Sequence, residues 1–128
     1  MRVLLDTHIA LWAVVGCRWL APAAKQAILA ADEAWVSVAS LWEIAIKHGF
    51  CRGDMPVSSA MVLQAFHDAG YGLLAVRPEH ALAVERLGPI HNDPFDRMLV
   101  AQALAEPLTL ITRDALVAAY SDAIMKAD

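Results

Sequence analysis

The sequence predicts an α/β fold: a three-layer α/β/α sandwich around a short, mostly parallel sheet of four or five strands. Short apolar runs alternate with helix-length segments along the chain, the pattern of repeated β-α units. The apolar runs lack in/out alternation, as strands buried on both faces require. The composition agrees, with 59% of the 128 residues hydrophobic and 19% charged, more apolar than usual for a domain of this size. A sheet covered on both faces explains the excess, and so does an apolar surface awaiting a partner.

The first strand is Arg2 to Leu5, stopping at Asp6-Thr7, where a helix starts and carries Ile9, Ala10, Trp12, Ala13 and Val14 to Gly16. Pro22, at a favoured first-turn position, opens a second helix from Ala23 to about Ala31. Ala34-Trp35-Val36-Ser37 is a strand, and the helix after it runs from Val38 to Phe50, ended near Gly49 and Gly53. Beyond Pro56, Ser58 or Ser59 caps a helix through Ala69, and Gly70 and Gly72 stop it. Leu73 to Val76 is a third strand, and Pro78-Glu79 starts a helix that ends at Leu87-Gly88-Pro89. Asp93-Pro94 starts another, which Pro107 breaks near Ala105. Leu108 to Thr112 is the fourth strand, Asp114 begins a further helix, and Ser121 to Met125 form a last edge strand. The helical stretch between Ser37 and Leu73 exceeds one crossover, so a helical hairpin is expected there.

Residues 1–128 are read as a single domain, long enough to bury a core without disulfides. Charges such as Arg18, Lys25 and Asp32 interrupt every apolar run, so no membrane span is expected, and the N-terminal run is too short for a signal peptide. A cytoplasmic protein follows, in which Cys17 and Cys51 are expected to be free buried thiols. The net charge of −4 argues against a broad basic surface for nucleic acid. It leaves open a site that gathers carboxylates around a cation.

Four acids stand out, and each has a structural explanation beside a functional one. Asp6 ends the first strand and suits a helix N-cap, although Thr7 could serve instead. Glu43 completes a Ser40-x-x-Glu43 capping box and precedes Lys47 by four residues, the favoured order for a helical ion pair. It also lies among Leu41, Trp42, Ile44, Ala45 and Ile46, so it either points out along a narrow polar stripe or joins a shared polar site. In Asp93-Pro94-Phe95-Asp96, Asp93 suits the cap, Pro94 the first helical position, and Asp96 the first turn, where the helix dipole favours an anion. Asp114, after the fourth strand, again could cap a helix.

Capping does not account for the coincidence of these acids. In a parallel sheet the strand C-termini and helix N-termini share one rim, so Asp6, Asp96 and Asp114 should converge. Crowded carboxylates raise one another's pKa unless a cation neutralises them. A ligand set of oxygens, without Cys or paired His, favours Mg²⁺ or Mn²⁺ over zinc.

The residues that surround these acids resemble a known family. Leu5-Asp6-Thr7-His8, Ser40 to Lys47, His91 to Arg97 with Ala101-Gln102-Ala103, and Leu110 to Asp114 are similar to segments of PIN-domain ribonucleases. The likeness is greatest to VapC-like toxins of type II toxin–antitoxin pairs. The resemblance spans nearly the whole chain and implies an acidic site of Asp6, Glu43, Asp96 and Asp114 that hydrolyses RNA phosphodiesters with Mg²⁺ or Mn²⁺. It implies Asp6 and Asp96 as the main metal ligands and Asp114 as a ligand directly or through water. Glu43 would take a second metal position or orient the water. Asp93 caps its helix at the edge of the site, and Thr7 and Thr112 are expected to orient carboxylates through their hydroxyls. His8 is expected to be a packed or rim residue. Arg97 and Arg113 would contact RNA phosphate or form surface ion pairs.

The resemblance also implies a cognate antitoxin lying in an apolar groove, and a homodimer. Trp12, Trp19, Trp35 and Trp42 are candidates for that surface, or for ordinary core. Other readings are an RNA-processing nuclease of the same fold without an antitoxin, and a non-catalytic interaction module. A haloacid-dehalogenase-type phosphatase would need an Asp where His8 stands, and a phospho-receiver would need an acidic pair before its first helix.

Overall fold

A computed structural model describes residues 1–16, 18–49 and 57–128. Cys17 and Cys51, expected as free thiols, lie outside the described residues, as does the expected end of the third helix at Phe50. Strands β1 (Arg2–Leu5), β2 (Glu33–Ser37), β3 (Gly72–Leu74), β4 (Thr109–Thr112) and β5 (Met125–Lys126) form a five-stranded sheet in the order β3-β2-β1-β4-β5. Every pairing is parallel. The helices are α1 (Thr7–Val15), α2 (Pro22–Ala30), α3 (Val38–Gly49), α4 (Ser59–Asp68), α5 (Pro78–Glu85), α6 (Pro94–Ala105) and α7 (Ala115–Ala118). Among the described residues, no helix is long and apolar enough to cross a membrane.

The lack of alternation in the strands has the expected cause. Val3, Leu4 and Leu5 are all fully buried, yet they serve different layers. Val3 and Leu5 pack with Ile9 and Ala10 of α1, Ile44 of α3 and Val62 and Phe66 of α4. Leu4 faces the other way, toward Leu99, Val100 and Ala103 of α6 and Val117 of α7. Successive side chains thus enter opposite apolar layers, and from Val3 to Leu5 neither face of the central strand meets water. The expected helical hairpin is α3 and α4.

Two strand boundaries differ from the sequence reading by more than one residue. The last strand begins at Met125 rather than Ser121, because Ser121 makes a turn: its carbonyl accepts from the Ile124 N–H (3.2 Å) and its hydroxyl from that of Ala123 (3.1 Å). β3 stops at Leu74 rather than Val76, and the Ala75 carbonyl accepts from the Gln102 side chain instead (3.3 Å). At its start, Gly72 pairs with Trp35, and a Cβ on Gly72 would stand 2.6 Å from the indole ring. Glycine lets the two strands approach across that ring.

Sheet order positions the site. The chain builds β1, β2 and β3 outward in one direction, then crosses to place β4 and β5 on the other side of β1. The C-terminal ends of β1 and β4 therefore flank the point where the winding reverses, the usual ligand crevice of an open parallel sheet.

Candidate active site

Asp6 leaves β1 at this crevice. Its backbone is tied to β4 through the Ile111 carbonyl (3.0 Å), and its own carbonyl starts α1 by accepting from Ala10 (2.9 Å). Its side chain makes no cap hydrogen bond. Instead Asp6 Oδ2 accepts from Thr112 Oγ1 at 2.6 Å, while Thr112 Oγ1 accepts from the Asp114 N–H (3.0 Å). One hydroxyl at the end of β4 thus fixes the carboxylate after β1 and the backbone of the acid after β4. Thr7 does not share the orienting role expected of its hydroxyl. That group donates to Ser40 Oγ (2.9 Å), fastening α1 to α3.

α3 brings Glu43. The Ser40–Glu43 capping box does not form, because the helix begins earlier, where the Ser37 hydroxyl accepts from the Ala39 N–H (3.0 Å). The expected ion pair does form, Lys47 Nζ to Glu43 Oε2 at 2.7 Å. Glu43 is nevertheless only 4% exposed, and its Oε1 is buried with no hydrogen-bond partner among the described residues. A buried carboxylate oxygen without a donor is costly unless something absent from the chain completes it.

At the start of α6, Asp93 Oδ1 accepts from the N–H groups of Phe95 (2.8 Å) and Asp96 (3.0 Å). Asp93 is therefore the cap, as expected, which leaves the Asp96 carboxylate for other contacts. Asp114 caps α7 through Oδ1 (Leu116 N–H, 2.8 Å) and turns Oδ2 toward His91 Nε2 (3.1 Å). Asp96 Oδ2 lies 3.1 Å from the same nitrogen.

Asp6, Glu43, Asp96 and Asp114 line one cleft of about 540 Å³, together with Asp93, His91, Lys47 and Arg113. The crowding is written in the acidities. Burial, then the charges of Asp6, Asp93 and Glu43, push Asp96 up to about 7, against the pull of His91. Burial likewise raises Asp6, opposed by the Thr112 hydrogen bond and by His8, and reinforced by Glu43. Asp114 moves the other way. Slight burial raises it, but the Leu116 N–H and His91 together outweigh that and hold it below the ordinary carboxylate range.

Arg97 differs from expectation as Thr7 does, and His91 carried no expectation. Arg97 does not line the acidic cleft and makes no ion pair among the described residues. Its guanidinium donates to the carbonyls of Val84 (3.1 Å), Leu87, Gly88 (2.9 Å) and His91 and to Tyr120 Oη (2.9 Å), closing the loop between α5 and α6. His91 was visible only as the first residue of a motif, and its contact with Asp114 spans 23 positions. His8 is a rim residue, its ring 5.6 Å from that of Trp12. Arg113 lies over the Trp12 ring at 5.1 Å, at the edge of the cleft.

The donor set suits a hard divalent cation. Asp6, Glu43 and Asp96 offer oxygens from three elements, one of them unpartnered among the described residues, and burial together with the neighbouring carboxylates raises Asp96 to about 7. The chain matches the PIN domain family over residues 3–122. It belongs to that family. This PIN domain is VapC-like: it is 33% identical to Ribonuclease VapC22 of Mycobacterium tuberculosis over 114 residues, covering 88% of this chain and 86% of that protein. Its fold is that of VapBC2 from Rickettsia felis bound to a promoter DNA fragment (TM-score 0.70, 16% identity, 98% of this chain and 97% of that one). A toxin–antitoxin complex from Klebsiella pneumoniae is also similar (TM-score 0.64, 21% identity, 96% and 95%).

The four tryptophans of this PIN domain divide. Trp35 packs against the apolar layer around Leu4, and Trp12 is half-buried beside the acidic cleft. Trp19 and Trp42 are each 63% exposed. Trp42 stands edge-on to Phe95 (5.1 Å) over a second, apolar cleft of about 630 Å³ lined by Val38, Val76, Val84 and Met98.

Proposed function

We propose that this PIN domain, acting as one nuclease domain over residues 1–128, is the toxin of a type II toxin–antitoxin pair in the cytoplasm. Its activity is endoribonucleolytic hydrolysis of RNA phosphodiesters, with Mg²⁺ or Mn²⁺ held by Asp6, Glu43, Asp96 and Asp114. The observation that carries the reading is the buried Glu43 Oε1, unpartnered among the described residues, in a cleft where burial and neighbouring carboxylates raise Asp96 to about 7. The relative named as a ribonuclease supports the chemistry, and the toxin–antitoxin complexes among its structural neighbours support the partner.

When bound, the cation supplies Lewis-acid charge at the scissile phosphate and makes a water acidic enough to attack at neutral pH. The chain's own residues do the rest. Asp6, locked by Thr112, and Asp96, released from capping by Asp93, are the main ligands. Asp114 contributes directly or through water, and Glu43 Oε1 accepts from the attacking water or takes a second cation position. Lys47 offsets one oxygen of Glu43 and leaves the other for that role. Arg113, on the rim, faces the RNA backbone. The exposed Trp42 and its apolar cleft offer a face for protein partners, the antitoxin and a second copy of the chain among them.

Purified protein incubated with structured RNAs should cleave with Mg²⁺ and stop with chelator, and Asp6→Asn should be inactive under both conditions. If wild type and Asp6→Asn behave alike with and without the metal, the ribonuclease reading fails. Inducing the gene should arrest growth until a small neighbouring antitoxin is co-expressed. Normal growth on induction would favour an RNA-processing role.

A further inference from the structure

His91 has no part in the chemistry above, yet it touches two of the four acids. Its backbone N–H is anchored on Tyr120 Oη (2.9 Å), and both ring nitrogens have fixed partners. Nδ1 lies 3.2 Å from the Asp93 backbone nitrogen, a group that can only donate. Nδ1 therefore presents its lone pair, and the ring proton sits on Nε2. Nε2–H is hydrogen-bonded to Asp114 Oδ2 at 3.1 Å, and Asp96 Oδ2 lies 3.1 Å from the same nitrogen, so one edge of the imidazole meets carboxylates from two helix starts.

These three residues are spaced so that they could also hold an ion, with ligand atoms all within 4.8 Å of one another. The hydrogen bonding decides against His91 as the ligand. An imidazole that ligates through Nε2 carries its proton on Nδ1 and normally donates it to a carbonyl or carboxylate. Here Nδ1 faces the Asp93 N–H, and ligation would set two donors against each other. We propose that His91 is a positioning residue: held by the Asp93 N–H in the Nε2–H form, it draws Asp96 and Asp114 together and keeps the cation site oxygen-only. The inference rests on the reading that these acids bind a divalent cation. It adds a reason for selectivity, since withholding the nitrogen favours Mg²⁺ and Mn²⁺ over ions that prefer imidazole.

Long-range proton–nitrogen NMR of the imidazoles reads the protonated nitrogen directly. His91 should show the Nε2–H pattern in metal-free protein and keep it at saturating Mg²⁺. An Nδ1–H pattern without metal, or a switch to it on adding Mg²⁺, overturns the proposal. Calorimetric titration with Mn²⁺ gives the second arm. His91→Ala should weaken binding by about 10- to 100-fold, as loss of a group that orients a ligand does. His91→Gln, with an amide N–H in place of Nε2–H, should recover most of it. Equal Mn²⁺ affinity in wild type and His91→Ala removes the positioning role alone. A wild type that binds neither cation removes the cation reading, and this inference with it.

Discussion

The two ends of α6 carry the same small device with different surroundings. Near its start, His91 accepts a backbone N–H at Nδ1 and offers Nε2–H to Asp114, with Asp96 Oδ2 3.1 Å from the same nitrogen. Beside its end, His80 accepts the Arg77 N–H at Nδ1 (3.0 Å) and meets Glu106 at Nε2 (2.6 Å). His80 is fully buried, and its contacts tie the first turn of α5 to the cap of α6, with the exposed Glu79 carboxylate also within 4.8 Å. At His91 one donor faces two carboxylates, with Asp6, Glu43 and Asp93 lining the same cleft. The imidazole does not mark function; the surplus of negative charge around it does. Two acids at an exposed edge of a buried imidazole make a clasp, and five acids lining one cleft make a place for a cation.

The largest effects should separate the two ends. Asp96→Asn removes a proposed ligand and one repelling charge together. RNA cleavage should fall by more than about 100-fold, beyond what loss of an outer-shell partner costs. The metal-free fold should meanwhile become more stable at alkaline pH, the usual opposition of stability and site chemistry. His80→Ala should do the reverse, losing about 2–4 kcal/mol of unfolding free energy for a buried side chain and its hydrogen bonds. Its cleavage per folded molecule should stay within about twofold of wild type. Urea unfolding in chelator, paired with cleavage rates, measures both. A destabilised Asp96→Asn, or an inactive but stable His80→Ala, breaks the contrast.

The same contrast has a pH signature. Asp96 is raised from 3.8 to about 7, so the folded protein binds this proton more tightly than the unfolded chain. A group raised in this way favours the fold fully below its unfolded pKa, and the contribution is lost as pH climbs through the folded value. Metal-free wild type should therefore lose up to about 4 kcal/mol between about pH 4 and pH 8, at about 1.4 kcal/mol per pKa unit. Asp114, held low, acts in the opposite sense and only as pH falls below about 4. Asp96→Asn should flatten the decline, and saturating Mg²⁺ should flatten it in wild type, because the cation takes the proton's place. Unfolding midpoints across pH, with and without Mg²⁺, test this. A slope unchanged in Asp96→Asn would place the repulsion elsewhere.

How much of this was legible depended on how local each signal is. The sheet was readable because burial on both faces leaves a signature within each strand, as Val3, Leu4 and Leu5 show. The convergence of Asp6, Asp96 and Asp114 followed from parallel topology. Glu43 needed the family resemblance, since its spacing fits an ion pair as well as a site, and the structure shows the ion pair beside an oxygen with no partner among the described residues. The last strand was misplaced by Ser121, whose hydroxyl makes a turn where apolar character suggests a strand. Arg97 was misjudged because its partners are backbone carbonyls, which no side-chain pattern announces. His91 was missed for a related reason: its role lies in a tautomer set by one amide and a carboxylate far along the chain.

The smallest effect sharpens the comparison through its cations. Arg113 stands over the Trp12 ring at the rim of the acidic cleft, and Arg77 is exposed beside the His80 clasp. If the cleft is where RNA lies, Arg113→Ala removes one backbone contact without touching the carboxylates. KM should rise about three- to tenfold with kcat unchanged, and the dependence of binding on log salt should shallow by about 0.7 for a single-stranded substrate. Arg77→Ala removes the same formal charge beside His80 and should leave both quantities within error, which controls for long-range attraction. Equal changes in the two variants would mean that RNA senses only the net charge of −4. A fall in kcat with KM unchanged in Arg113→Ala would instead give this arginine a part in the transition state and move the working site toward β4.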